Sequence, residues 1–278
     1  MTLQQEPIAP TGRRRLSYGA FVLVVIAYLA LIQIGGLLVT NAASIVSDRG
    51  FVTTHNVLIS LWIPVGAALI FTYAVIAVLG WQRPVFRDDR PVQRWVMIVP
   101  VVFAVGIILA TNYGDLASKG LGFTLILLIG TQFVGWGEEG MFRGIGVTML
   151  RDHGLREGQV ALWSSIIFGI VHLTNAIGHG ASAIPQAIAV SLAGYFFYLM
   201  RRVSRGNVLN SVIHGLFDFS IVSGTAIIVH QRAYAGSAAA ILVYIVLIVV
   251  LLVRRHRIEL PVVSQSGSGG GSMSGGHV

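Results

Sequence analysis

The stretch that decides the fold is Leu121–Leu150, LGFTLILLIGTQFVGWGEEGMFRGIGVTML. Nothing charged occurs from Leu121 to Gly137; then Glu138, Glu139 and Arg143 follow inside the same apolar run. As a helix rising 1.5 Å per residue it outreaches a hydrocarbon core of ~30 Å, so it reads as a membrane helix that projects beyond the bilayer. A charge at the centre of such a helix costs about 2.5–3.5 kcal/mol on insertion scales, and residues of this kind face a protein interior or a water-filled cavity. The rest of the chain has to supply their partners.

The composition agrees with lipid as the solvent. Of 278 residues, 55% are hydrophobic and 11% charged, with a mean hydropathy of +0.78, whereas a soluble domain carries about 25% charged residues. Apolar segments near 17–40, 56–80, 95–112, 121–150, 158–175, 182–201, 207–229 and 236–253 predict an all-α, polytopic transmembrane bundle of about eight helices. Residues 1–15 form a cytoplasmic tail, 16–257 the membrane domain, and 258–278 a flexible Gly/Ser-rich extension.

Charge distribution gives the orientation. With the N-terminus inside, the cytoplasmic segments hold Arg13–Arg15, Arg83, Arg87, Arg90, Arg94, Arg151, Arg156, Arg201, Arg202, Arg205, Arg254, Arg255 and Arg257, against Arg49, Lys119 and Arg232 outside. The positive-inside rule turns this asymmetry into an N-in/C-in topology. The formal charge of +8 therefore reads as loops facing anionic lipid head groups. No basic stripe interleaved with aromatics is present, which excludes nucleic acid as a partner. The arginine, alanine, glycine and valine bias points to a bacterial plasma membrane. Cysteine is absent, so disulfides, thiolate metal sites and a cysteine nucleophile are excluded.

Of the acids, Glu138, Glu139 and Asp218 lie well inside predicted spans, as do His172 and His214. Glu139 and Arg143 stand at i,i+4 with the acid first, the favourable order for a helical ion pair. Glu138 is rotated about 100° from Glu139 and needs another partner, which makes it the better candidate for chemistry. Phe168 and His172 share a face of the fifth segment, and His214 and Asp218 share one of the seventh. A carboxylate at that spacing holds an imidazole by its N–H, or both ligate one metal ion. Each pair alone also reads as a polar helix contact; three helices carrying such groups together point to a site.

Glu138-Glu139-Gly140-Met141-Phe142-Arg143 matches EExxxR, Phe168 to His172 matches FxxxH, and His214 to Asp218 matches HxxxN/D. Together, over residues 120–230, they resemble the CAAX protease and bacteriocin-processing (CPBP, or Abi) family, whose eukaryotic members include the type II CAAX prenyl endopeptidase. The resemblance implies an intramembrane endopeptidase acting on a membrane-associated peptide or protein. Glu138 would activate water with His172, and His214 and Asp218 would stabilise the oxyanion or complete the site. Glu139, Arg143 and Phe168 would support it. Relatives often carry Asn where this chain has Asp218, and an ionised Asp cannot donate a hydrogen bond. The family is described both as metalloproteases and as metal-free glutamate peptidases. HExxH is absent, but Glu138, His172, His214 and Asp218 are N/O ligands of the kind zinc takes. Two other readings stand beside the peptidase. One is a non-catalytic immunity or partner-binding membrane protein on the same helices. The other is a proton-coupled transporter, against which the lack of an internal repeat counts.

Overall fold

The computed structural model describes residues 14–45, 50–229 and 234–260. Arg13, Arg49, Arg232 and the Gly/Ser-rich stretch after residue 260 lie outside the described residues. Among the described residues the chain is helical, with a single isolated bridge between Val92 and Glu259. The longer helices are α1 (Tyr18–Ala42), α2 (Thr54–Leu79), α3 (Arg94–Ala110), α4 (Leu121–Asp152), α5 (Glu157–His172), α6 (Ala183–Val203), α7 (Val208–Thr225) and α8 (Ser237–Val253).

Each predicted apolar segment overlaps one of these helices. By length and apolar composition, α1, α2, α4 and α6 suffice to cross a membrane, and a fifth span results if α3 and the short helix Tyr113–Lys119, bent by 59°, count as one. The described chain is thus a membrane-capable helical bundle; eight spans and N-in/C-in remain expectations. Two segments end earlier than predicted. The α-helix of α5 stops at His172 and passes into a 3-10 turn, where the Thr174 hydroxyl donates to the Val171 carbonyl and competes with helix continuation. Helix α7 stops at Thr225 rather than 229.

Burial is arranged for lipid. Leu23, Ile70, Leu121 and Ile188 point outward, while Thr72, Ser164, Asn210 and Ser220 are buried. Polar side chains that lipid cannot satisfy are turned inward. Helix α4 packs most extensively on α7, and α5 on α6. The α4–α7 contact is backbone against backbone: a Cβ at Gly135 would stand 2.4 Å from the Ser211 carbonyl oxygen and 2.5 Å from the Gly215 nitrogen. This close approach brings the acids of α4 and the histidine of α7 into register.

One end of the bundle is tied by ion pairs. Asp88, in the loop before α3, accepts from Arg201 Nε at 2.8 Å and from Arg151 Nη1 at 2.9 Å, and both Asp88 and Arg201 side chains are fully buried. Arg151 also grips Glu157 with two bonds, at 3.0 and 2.8 Å. Burial alone would raise the Asp88 carboxyl, but the guanidinium groups of Arg201 and Arg151 outweigh it and hold it below its ordinary range. Arginines read from sequence as facing lipid head groups are here internal clamps. Residues 258–260, expected to begin the flexible tail, instead join the body. Ile258 is buried, and Glu259 is held by Arg202 through bonds of 2.6 and 2.7 Å. A bidentate carboxylate–guanidinium pair adds geometric specificity as well as energy.

Candidate active site

The six ionisable residues inside the predicted spans converge at the crossing of α4, α5 and α7. Helix α4 changes there from α to π geometry, over Glu139–Gly146. Insertions of π turn are frequent at functional sites because they re-aim side chains out of the regular α register. Glu138 is the last residue of the α portion and Glu139 the first of the π portion.

Glu139 looks inward. It is fully buried, with Oε1 3.1 Å from Arg143 Nη1 and 2.8 Å from His214 Nδ1; its other oxygen accepts from the Asn210 amide. The expected pairing with Arg143 is present, but the same carboxylate also holds the histidine of another helix. The three nitrogens of Arg143 make no aligned hydrogen bond among the described residues. Its guanidinium lies 3.9 Å from the centroid of Phe168 and 5.5 Å from that of Phe197, a cation–π arrangement that places the charge in a dry site.

Glu138 looks toward the histidines. Its Oε2 lies 3.9 Å from His172 Nε2 and 3.7 Å from His214 Nε2. Both separations exceed a direct hydrogen bond and suit one bridging water. His172 Nδ1 is 2.7 Å from the Phe168 carbonyl oxygen. A carbonyl only accepts, so the proton sits on Nδ1, and a neutral ring leaves the Nε2 lone pair toward Glu138. The same logic applies to His214: the carboxylate at Nδ1 fixes the proton there and leaves Nε2 to face Glu138 and Asp218, whose Oδ2 is 3.6 Å away. The residue that grips His214 is therefore Glu139, with Asp218 at longer range. Asp218 is the most open of the set, its side chain 30% exposed.

Phe168 links the groups. Its ring meets His172 edge-on at 4.7 Å and His214 at 6.0 Å, while Phe197 stacks on His214 at 4.5 Å. A cavity of about 60 Å³ opens beside Glu138 and His172, lined on its far side by Tyr28 and Gln33 of α1.

Zinc bound tetrahedrally at 2.0–2.1 Å sets its ligand atoms about 3.3 Å apart. The Glu138–histidine and His214–Asp218 separations of 3.6–3.9 Å are wider, and among the described residues no three His, Asp or Glu side chains form a metal-holding group. As placed, the four candidates do not fit a zinc ion.

Four participants escaped the sequence: Tyr28, Gln33, Phe197 and Asn210. Asn210 carried a usable signal, since 210, 214 and 218 repeat every fourth residue on one face of α7. Gln33, a polar residue in an apolar run, carried a weaker one; Tyr28 and Phe197 carried none.

No curated protein and no solved structure matches the chain. A family model does, described as Rce1-like, Type II CAAX prenyl endopeptidase, over residues 120–220. The matched stretch runs from the start of α4 into α7 and includes the six ionisable residues of the cluster, but not Tyr28 and Gln33 of α1. Over residues 120–220 this membrane protein is thus similar to the Rce1-like type II CAAX prenyl endopeptidases, a family of proteases, which is consistent with the CPBP resemblance of its three motifs.

Proposed function

We propose that this chain is an intramembrane endopeptidase of the bacterial plasma membrane, N-in/C-in, which hydrolyses a peptide bond of a membrane-associated peptide or protein with water activated by Glu138 and His172. The observation that carries the reading is the placement of the Glu138 carboxylate between His172 Nε2 and His214 Nε2 at 3.7–3.9 Å, beside a cavity. A carboxylate and an imidazole lone pair within one water of each other are the parts of a general base. Glu138 takes the proton of water as its oxygen adds to the scissile carbonyl, and returns that proton to the leaving nitrogen as the C–N bond breaks. His172, with its proton directed to Phe168, accepts from the same water and orients it. His214, gripped by Glu139, turns Nε2 toward the reacting group, and Asp218 supports it from the open side. Glu139, Arg143 and Phe168 hold this arrangement and do not touch substrate. The spacing of the donor set favours a metal-free reaction.

The test is cleavage of a membrane-anchored peptide library by the full chain in liposomes, with metal content measured on the same preparation. Glu138→Ala is expected to lower the rate by at least about 10³-fold, within the range general-base catalysis supplies. Unchanged cleavage by this variant would remove Glu138 as the base. A wild type that cleaves nothing would favour the non-catalytic partner-binding alternative, and stoichiometric zinc lost with Glu138→Ala would favour the metalloprotease reading.

A further inference from the structure

The cavity beside Glu138 has a wall that the three motifs do not account for. Helix α1 supplies it, through Tyr28. This side chain is 1% exposed, its hydroxyl has no hydrogen-bond partner among the described residues, and it lines the same cavity of about 60 Å³ as Glu138 and His172. A buried hydroxyl without a partner is uncommon, and where one is kept it asks for an explanation in terms of a bound molecule or a catalytic task.

Its neighbours fix it there. The Tyr28 ring meets Phe142 edge-on at 6.1 Å. Residue 137, one before the proposed base, is glycine, and a Cβ at that position would stand 3.3 Å from the Tyr28 oxygen. The phenol is therefore seated against the backbone of α4 immediately next to Glu138.

Counting donors around the cavity singles it out. Gln33 gives its amide to Thr174 and Asn175. Thr174 donates to the Val171 carbonyl, Asn175 to Gln186, and His172 Nδ1 to the Phe168 carbonyl. Glu138, as base, accepts only. Among the side chains lining the cavity, Tyr28 is the fully buried one that keeps an uncommitted donor; the second amide N–H of the partly exposed Asn175 is the other. The cavity, about 60 Å³, exceeds the roughly 10–15 Å³ that one water needs.

We propose that Tyr28 is a further catalytic residue, whose hydroxyl donates a hydrogen bond to the scissile carbonyl oxygen as it becomes an oxyanion. This rests on the glutamate-activated hydrolysis proposed above. The water oxygen bonds to the carbonyl carbon, its proton goes to Glu138, and the carbonyl π pair moves onto the oxygen that Tyr28 faces. The C–N bond then breaks, and the nitrogen takes the proton from Glu138. Tyr28 keeps its own proton throughout and stabilises charge that exists only in the transition state. A neutral donor at this position also answers the departure in the third motif, where the chain carries Asp218, which when ionised donates nothing.

The experiment compares wild type, Tyr28→Phe and Glu138→Ala in the same liposomes, with kcat and KM measured on a peptide that wild type cleaves and with thermal unfolding of each protein. Tyr28→Phe is expected to lower kcat about 10²–10³-fold, as removal of one oxyanion donor does, with KM unchanged and the ring packing kept. A kcat within about twofold of wild type, or a loss carried by KM alone, overturns the inference while leaving the base intact if Glu138→Ala is inactive. Full cleavage by Glu138→Ala instead overturns the reading of the site on which Tyr28 depends. If Tyr28→Phe does not fold, 3-fluorotyrosine at position 28 keeps the hydroxyl as a stronger donor; a raised kcat supports the role and an unchanged kcat overturns it.

Discussion

His214 Nδ1 stands 2.8 Å from Oε1 of Glu139, a carboxylate on another helix that also lies 3.1 Å from the Arg143 guanidinium. One buried carboxylate thus serves a permanent cation and a titratable ring. Glu139 is the joint between α4 and α7, and its two contacts have separable consequences.

Glu139→Gln leaves Arg143 buried without the carboxylate it directly pairs with. Breaking a buried pair from one side costs about 3–5 kcal/mol, and a marked fall in unfolding temperature in detergent is expected together with loss of cleavage. Adding Arg143→Met should restore much of the stability by removing the orphaned charge. Cleavage should stay absent, because His214 still lacks the carboxylate that holds it. Recovery of both stability and cleavage in the double variant would show that Glu139 serves Arg143 alone.

The Asp88 clamp gives a pH dependence. Arg201 and Arg151 hold this carboxyl below its ordinary range against the effect of burial. A group with a depressed folded value contributes stability that is fully present above its unfolded value, about 3.9 for Asp, and lost as pH falls through the folded one. Thermal unfolding from neutral pH downward should therefore show a stability loss in the acid region below about pH 4 that Asp88→Asn reduces, the remainder including Glu157, whose carboxyl Arg151 also holds below its ordinary range against burial. At neutral pH that variant should be destabilised by about 3–5 kcal/mol, since Arg201 is left buried and unpaired. An Asp88→Asn protein as stable as wild type would show that the clamp contributes nothing.

Close helix contact sets the distance between Glu138 and His214. Gly135→Ala places a methyl 2.4 Å from the Ser211 carbonyl oxygen, so α4 and α7 must separate. Overpacking of this kind typically costs about 1–3 kcal/mol, and cleavage should fall further than stability because the histidine is displaced from the carboxylate. An alanine variant with wild-type kcat would show that the α4–α7 spacing is not critical.

Chelation addresses the metal question by a route independent of mutagenesis. With donor pairs at 3.6–3.9 Å, dialysis against a chelator should leave cleavage unchanged and bound zinc well below one per chain. Activity lost on chelation and restored by zinc would show that the four side chains close around an ion.

The helices were legible because an apolar run long enough for a membrane has few alternatives: six of the eight segments agree with a helix to within two residues at both ends, and the α-helical parts of α5 and α7 stop three and four residues early. The three motif pairs were legible because i,i+4 spacing survives into the structure. Their mutual geometry was not. The spacing of His214 and Asp218 suggested a grip within one helix, whereas the tighter contact crosses to Glu139, which only packing determines. The π turn over Glu139–Gly146 left no mark in sequence, since it depends on what surrounds α4. Asp88 and Arg201 counted as loop charges, although they form the most deeply buried ion pair at their end of the bundle. Tyr28 sits in an apolar helix where tyrosine is unremarkable, and only the cavity distinguishes it.

The most direct test of the central claim is the rate of peptide cleavage by Glu138→Gln in liposomes, with folding checked by thermal unfolding. This substitution keeps the shape of the side chain and removes the charge that accepts the proton of water. The account expects a folded protein whose cleavage is at least about 10³-fold slower than wild type. A folded Glu138→Gln protein that cleaves at the wild-type rate would contradict it.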